Sequence, residues 1–283
     1  MEKNTKKNNN AYSILERHGF IKKHLIIGWL YPELMSTYGD QGNVRILRDR
    51  AEGREISAEV RIISLESPAK DIAEADLLFM GGAQDQYQKI VSEDLRAKKN
   101  ELGEAIERGV PGLYVCGAYQ LLGKHYAIGA HTKIEGLGIF DCHTENPGTG
   151  KRMIGNIALQ AEISELSGYP IIGFENHGGK TYLGASARPF GRVLKGFGNN
   201  GEDKAEGIFY KNSIGTYLHG PILSKNPELA DWLIGKAYEV KYKEALPLVP
   251  LDDSFENKAR AVLFKRANLK NGRQGEYVPL SGL

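Results

Sequence analysis

Cys116 stands between a short apolar run, Gly112-Leu113-Tyr114-Val115, and Gly117-Ala118, after which Tyr119, Leu121 and Leu122 continue with helical spacing. That order reads as strand, tight corner and helix, and a nucleophile at such a corner is thrust out at the end of a sheet. A thiol there also lies beside a helix N-terminus, where free N–H groups and the helix dipole favour thiolate over thiol. The chemistry it would serve is attack on an electrophilic carbon. The competing reading is a buried cysteine that happens to end a strand, since free cysteines are common in cores.

Thiolate attack needs a proton carrier and donors for the developing oxyanion. Two histidines qualify by position: His219 in GTYLHGP, behind the run Ser213 to Leu218, and His177 in GFENHGG. A histidine roughly a hundred residues after a cysteine is a usual sequence form of a Cys–His pair that meets only in space. His177, in a glycine-rich loop, equally suits a structural hydrogen bond. Gly81-Gly82 follows the run Ala75 to Met80. Backbone N–H groups of Gly82 and Gly117 could form an oxyanion hole there, the alternative being a plain strand-ending turn. Arg152 precedes the run Ile154 to Leu159, and its planar fork suits a carboxylate, although most arginines are merely solvated. Two segments are decoys. PGTGKR resembles a phosphate-binding loop, but Glu145 stands where the first glycine belongs and Arg152 replaces Ser/Thr. Cys142-His143 has no second Cys/His pair at ligand spacing, so no metal site is expected.

These groups converge only if strands and helices alternate. Leu25 to Leu30, Glu59 to Leu65, Ala75 to Met80 and Gly112 to Val115 read as buried strands, with helical patterns between them carrying Val44, Ile46 and Leu47, then Leu95, Leu102 and Ile106. The expected fold is α/β with a mostly parallel, doubly wound sheet. From Ile128 to Gly201 short apolar runs and frequent glycines predict additional antiparallel strands. A strand to Leu218, a helix over Pro227 to Tyr238 and another around Phe255 to Ala267 complete the chain. The organisation expected is a polar leader over 1–23, one α/β domain over 24–240, and a C-terminal helix and polar tail over 241–283. In such a sheet function gathers at the carboxyl ends of the strands, where Gly82, Cys116 and His219 all fall.

The bulk numbers exclude several classes. With 37 basic against 35 acidic residues the net charge is +2, too small an excess for an obligate nucleic-acid binder. Two cysteines preclude a disulfide scaffold and suit a reducing, cytoplasmic setting. No window is long and apolar enough to span a membrane. The start, MEKNTKKNNN, has no apolar core behind it and is no signal peptide.

The corner at Cys116, together with GGAQDQ, GFENHGGKTY and GTYLHGP, resembles the class I, triad-type glutamine amidotransferases of the cobyric acid synthase-like branch. YGDQGN and EGLGIFD are further similar segments, and the likeness runs from about Leu25 to about Tyr238. Within that branch the chain looks most like the glutaminase subunits of lipid II isoglutaminyl synthases. The resemblance implies Cys116 as nucleophile, His219 as base and acid, Gly82 and Gly117 as oxyanion hole, and Arg152 as the group that holds L-glutamine. It implies a Mur-ligase-like partner of the MurT type, which would carry ATP and Mg and amidate D-glutamate of the lipid II stem peptide. No cofactor is expected in this chain. Many relatives of the wider superfamily place an acid two residues after the histidine, where this chain has Pro221. The third group is then absent, drawn from elsewhere in the chain, or supplied by the partner. The alternatives are a stand-alone γ-glutamyl or glutamine hydrolase, an amidotransferase for another acid such as a cobyrinate, and a non-catalytic binding module.

Overall fold

The computed structural model describes residues 23–266 apart from 149 and 169. The leader and the end of the tail lie outside the described residues. Seven helices and fourteen strands follow in chain order among the described residues, not counting isolated 3-10 turns. The first half runs β1 (His24–Leu30), α1 (Gln41–Glu52), β2 (Ser57–Ile63), α2 (Lys70–Ala73), β3 (Leu77–Met80), α3 (Asp85–Ala97), α4 (Lys99–Glu107), β4 (Gly112–Val115) and α5 (Gly117–Leu122). Strands β5 (His125–Ile128), β6 (Thr132–Glu135), β7 (Cys142–Asn146), β8 (Met153–Ala161), β9 (Pro170–His177), β10 (Lys180–Leu183), β11 (Gly191–Lys195) and β12 (Ala205–Glu206) fill the middle. Then come β13 (Ile208–Tyr210), β14 (Ser213–Thr216), α6 (Pro227–Tyr242) and α7 (Ser254–Arg266).

The main sheet has six strands in the order β13-β14-β4-β3-β1-β2, all parallel except the β13–β14 hairpin pair. Its central strands β3 and β4 are buried at every position because helices cover both faces. The two-residue alternation of a strand sorts their side chains. Leu77, Phe79, Leu113 and Val115 join Leu229, Trp232 and Leu233 of α6 and Val44 and Leu47 of α1 on one face. Leu78, Met80 and Tyr114 meet Val91, Leu95, Leu102 and Ile106 of α3 and α4 on the other. This is the expected doubly wound α/β fold. The strands of the second half form two four-stranded sheets, β10-β7-β5-β6 and β12-β11-β8-β9, antiparallel as expected except for the parallel β5–β7 pair.

The last expected strand is shorter than its apolar run. It stops at Thr216 rather than Leu218, and the chain crosses to β9, where His219 and Phe174 exchange backbone hydrogen bonds of 2.8 and 3.3 Å. Buried Glu206 causes the exit. Its carboxyl group accepts from the Tyr217 N–H at 2.7 Å and the Thr216 hydroxyl at 3.0 Å, and Thr216 Oγ1 accepts the Leu218 N–H at 3.1 Å. Side chains thus satisfy backbone groups that a continued ladder would have paired. Burial, against these hydrogen bonds, pushes the Glu206 carboxyl up to about 8.

The segment after α6 returns onto the body. Arg50 of α1 is bidentate to Asp231 of α6 and also reaches Asp253, while Phe264 of α7 is buried with Ala158 and Ile172. No helix among the described residues is long and apolar enough to cross a membrane.

Candidate active site

Cys116 sits at the junction of β4 and α5 with φ 52° and ψ −103°, a backbone conformation that a side chain rarely adopts. Two backbone bonds hold it there. Its N–H donates to Thr216 O of the neighbouring strand at 2.8 Å, and its carbonyl accepts from Gln120 N–H at 3.0 Å, the first bond of the helix. The corner read from the sequence is therefore real, and the thiol is partly exposed. Cys142, by contrast, is buried, and burial pushes its thiol up to about 12.

His219 is fully buried, and its Nδ1 lies 3.1 Å from Asp40 Oδ1. Asp40 is also fully buried, and its other oxygen accepts the Gly82 N–H at 2.8 Å. The carboxylate therefore fixes the imidazole with Nδ1 as donor, and Nε2 has no hydrogen-bond partner among the described residues. Burial alone would lower the basicity of His219, but the neighbouring Asp40 and Cys116 groups outweigh it and push the imidazole up to about 10. The edge of the Tyr38 ring closes over it, with centroids 4.9 Å apart. Histidine, cysteine and Gly82 meet at one point. A Cβ on Gly82 would lie 3.0 Å from His219 Cε1, 3.2 Å from Cys116 Cβ and 2.6 Å from Thr37 Oγ1, so only glycine fits.

Asp40 is the group that sequence reasoning missed. An aspartate just before a helix reads as an N-cap, yet its side chain makes no capping bond to α1. The turn that carries it is clamped to the strand end instead: Thr37 N–H donates to Gly82 O at 3.1 Å. Pro221 packs against Gly42, two residues past Asp40, its Cγ 2.3 Å from where a Cβ would sit. The proline that replaces the expected acid thus helps seat the segment bearing the actual one. The available signal was YGDQGN itself, an acid in the loop that leaves the first strand.

Gly82 requires a correction. Its N–H is donated to Asp40, so it is not free for an oxyanion. The next residue takes that place. Ala83 N lies 3.0 Å from the Cβ position of Gly117, and neither the Ala83 nor the Gly117 N–H has an acceptor among the described residues. The candidate oxyanion donors are these two adjacent amides.

A cavity of about 440 Å³ opens over the thiol, lined by Cys116, Ala83, Gln88, Arg152 and His177 among others. Arg152 Nε and Nη2 each donate to Asn176 at 2.8 Å, to its side-chain and backbone oxygens, and Asn176 Nδ2 donates to Tyr38 Oη at 2.8 Å. The structure thus brings Arg152 to the same cavity as Cys116. It also separates the two histidines. His177 stacks flat on Tyr217, with centroids 3.6 Å apart, and its Nδ1 donates to Gly179 O at 2.7 Å. Of the two, His219 alone has a carboxylate at hydrogen-bond distance among the described residues, since Glu175 Oε2 lies 3.9 Å from His177 Nε2. Gln88, nearly fully buried, donates through Nε2 to Ala83 O at 3.2 Å and Gln120 Oε1 at 3.1 Å, and its Oε1 has no partner among the described residues.

A sequence profile described as the CobB/CobQ-like glutamine amidotransferase domain matches residues 26–227. The chain is 44% identical over 246 residues to the glutamine-hydrolysing lipid II isoglutaminyl synthase subunit GatD of Staphylococcus aureus, covering 86% of this chain and 96% of that protein. It is 40% identical over 241 residues to the GatD subunit of Streptococcus pneumoniae, covering 85% of this chain and 91% of the other. A probable cobyric acid synthase of Methanothermobacter thermautotrophicus is 28% identical over 218 residues, or 74% of this chain and 42% of that protein.

Proposed function

Because this chain belongs to the CobB/CobQ-like glutamine amidotransferases, we propose that it is the cytoplasmic glutaminase subunit of a lipid II isoglutaminyl synthase. The carrying observation is the Cys116–His219–Asp40 constellation, whose cysteine lines a cavity that Arg152 lines too while its histidine and aspartate are buried behind it. The thiolate of Cys116 attacks the side-chain amide carbon of L-glutamine, and the N–H groups of Ala83 and Gly117 hold the tetrahedral oxyanion. His219, kept protonated by its neighbours, donates to the departing nitrogen so that ammonia and not amide anion leaves. Deprotonated, it draws a proton from the water that hydrolyses the glutamyl thioester. The unpartnered Gln88 Oε1 is an acceptor for the amide N–H₂ and would aim the carbonyl oxygen at the two amides.

Ammonia is consumed by a Mur-ligase-like partner, which holds ATP and Mg and amidates the α-carboxylate of D-glutamate in the stem peptide. Because Asp40 completes the triad within the chain, the partner need not contribute the orienting acid. The isolated chain should therefore hydrolyse glutamine measurably, and removing acidic residues of the partner near the interface should leave the triad's contribution intact. The test is reconstitution. Glutamine-dependent amidation of lipid II by the pair supports the reading, whereas full glutamine turnover with no complex and no amidation makes the chain a stand-alone hydrolase.

Arg152 is assigned to the α-carboxylate of glutamine. Arg152→Ala removes a charge-assisted contact worth about 1.5–3 kcal/mol, and KM for glutamine should rise roughly ten- to more than a hundredfold. Lysine should rescue only partly, because it cannot keep both bonds to Asn176 while reaching substrate. Unchanged glutamine kinetics in the alanine variant would exclude the role.

A further inference from the structure

The cavity carries a second charged group for which the reaction above has no use. Asp85, the first residue of α3, lines it together with Arg152 and Tyr126. Its Oδ1 accepts from Tyr126 Oη at 3.2 Å, and that hydroxyl accepts from Asn146 Nδ2 at 3.2 Å. Asp85 Oδ2 has no hydrogen-bond partner among the described residues. Arg152 is arranged in the same way: Nε and Nη2 are tied to Asn176, and Nη1 is left over. Both groups line the one cavity, and the Asn146 that holds Tyr126 comes close to Arg152, since Asn146 Nδ2 and Arg152 Nη1 lie 3.3 and 3.7 Å from the Cβ position of Gly178. Each charged side chain is thus anchored by part of its polar edge, with the rest uncommitted.

A carboxylate in the first turn of a helix is favoured by the helix dipole alone. That accounts for an acid at this position but not for its being held by Tyr126 and Asn146 beside the arginine. A free α-amino acid carries an ammonium and a carboxylate on one carbon. A cavity that offers one opposite charge to each is its electrostatic complement and disfavours molecules lacking either. The reactive thiol lies in the same cavity, which Gln88, one helical turn along α3 from Asp85, also lines. A glutamine whose carboxamide sits over Cys116 therefore extends its α-carbon toward the rim.

We propose that Asp85 binds the α-ammonium group of glutamine and selects the free amino acid over amides that lack a charged α-nitrogen. The proposal rests on the glutaminase reading given above. Tyr126 and Asn146 act as positioning residues, holding the carboxylate at the rim.

The test compares steady-state hydrolysis of L-glutamine with that of 4-carbamoylbutanoate, the same amide without the α-amino group, by the chain assembled with its partner subunit. Wild-type protein should prefer glutamine by about tenfold or more in kcat/KM. Asp85→Asn, which keeps size and helix position, should lower that preference about tenfold through a higher KM for glutamine. Arg152→Ala should weaken both substrates together, since both retain the carboxylate. If wild-type protein hydrolyses glutamine and Asp85→Asn keeps the full preference, the proposal is overturned and the glutaminase reading stands. If wild-type protein hydrolyses no glutamine, both fall.

Discussion

Cys116→Ser should abolish ammonia release from glutamine, a loss of roughly five to six orders of magnitude, as expected when an active site loses its nucleophile. Serine keeps the size and the polar character of the side chain, so the strained corner at φ 52° should persist and melting behaviour should change little. The hydroxyl fails because it is far less ionised than a thiol and so supplies no ready nucleophile. The same variant separates the two halves of the proposed reaction. In the reconstituted pair, glutamine-dependent amidation should disappear while added ammonium salt restores it, because only the ammonia source is damaged. A glutamine-mimicking electrophile should label Cys116, and mass spectrometry should find Cys142 unmodified, since burial makes that thiol inert. Modification at Cys142 with loss of activity, or full activity in the serine variant, would sink the assignment.

Asp40→Asn should cost about two to four orders of magnitude in turnover with little change in KM. Asparagine has one acceptor oxygen where the carboxylate has two, and both carboxylate oxygens are in use, at His219 Nδ1 and Gly82 N–H. Whichever bond the amide keeps, its N–H₂ faces the other donor: facing Nδ1 it favours the wrong imidazole tautomer, and facing the Gly82 N–H it loosens the turn that carries residue 40. A pH readout distinguishes this from general damage. The folded pKa of His219 is raised from 6.5 to about 10, so its charged form contributes stability that is fully present below pH 6.5 and lost as pH rises through about 10. In Asp40→Asn the imidazole pKa should fall and that alkaline loss of stability should shrink. Near-normal turnover, or an unchanged histidine titration by NMR, would remove Asp40 from the mechanism. His219→Ala should be inactive to a similar degree, whereas His177→Ala should act through the Tyr217 stack and the Gly179 bond.

Legibility in the sequence followed from how local each signal is. Leu77 to Met80 and Gly112 to Val115 are apolar at nearly every position because helices cover both faces of those strands, and burial of that kind is written directly into composition. Leu95, Leu102, Ile106, Leu229 and Leu233 were likewise readable as inward-facing positions, and all are fully buried. The corner at Cys116 is legible because the nucleophile, the strand before it and the small residues after it are contiguous. The end of β14 was not. Thr216 to Leu218 continue an apolar run, and only the buried carboxyl of Glu206, ten residues upstream, turns them out of the sheet.

The sequence by itself determined the alternation of strands and helices, the exposed nucleophile and the residue types for thiol chemistry, because each depends on spacing along a few neighbouring residues. Tertiary structure alone decided which acid serves the histidine, and it sets beside Cys116 the His219 that the family resemblance named and that spacing by itself left open against His177. Asp40 and His219 are 179 residues apart, and an aspartate in a polar loop has no local signature that separates a triad member from a helix cap. The strand order β14-β4-β3-β1 aligns the ends that carry His219, Cys116, Gly82 and the turn of Asp40. The same alignment commits the Gly82 N–H to the carboxylate and leaves the N–H of Ala83 as the candidate oxyanion donor. A hydrogen bond is a short-range contact, and its partners are set by which chain ends the sheet makes neighbours.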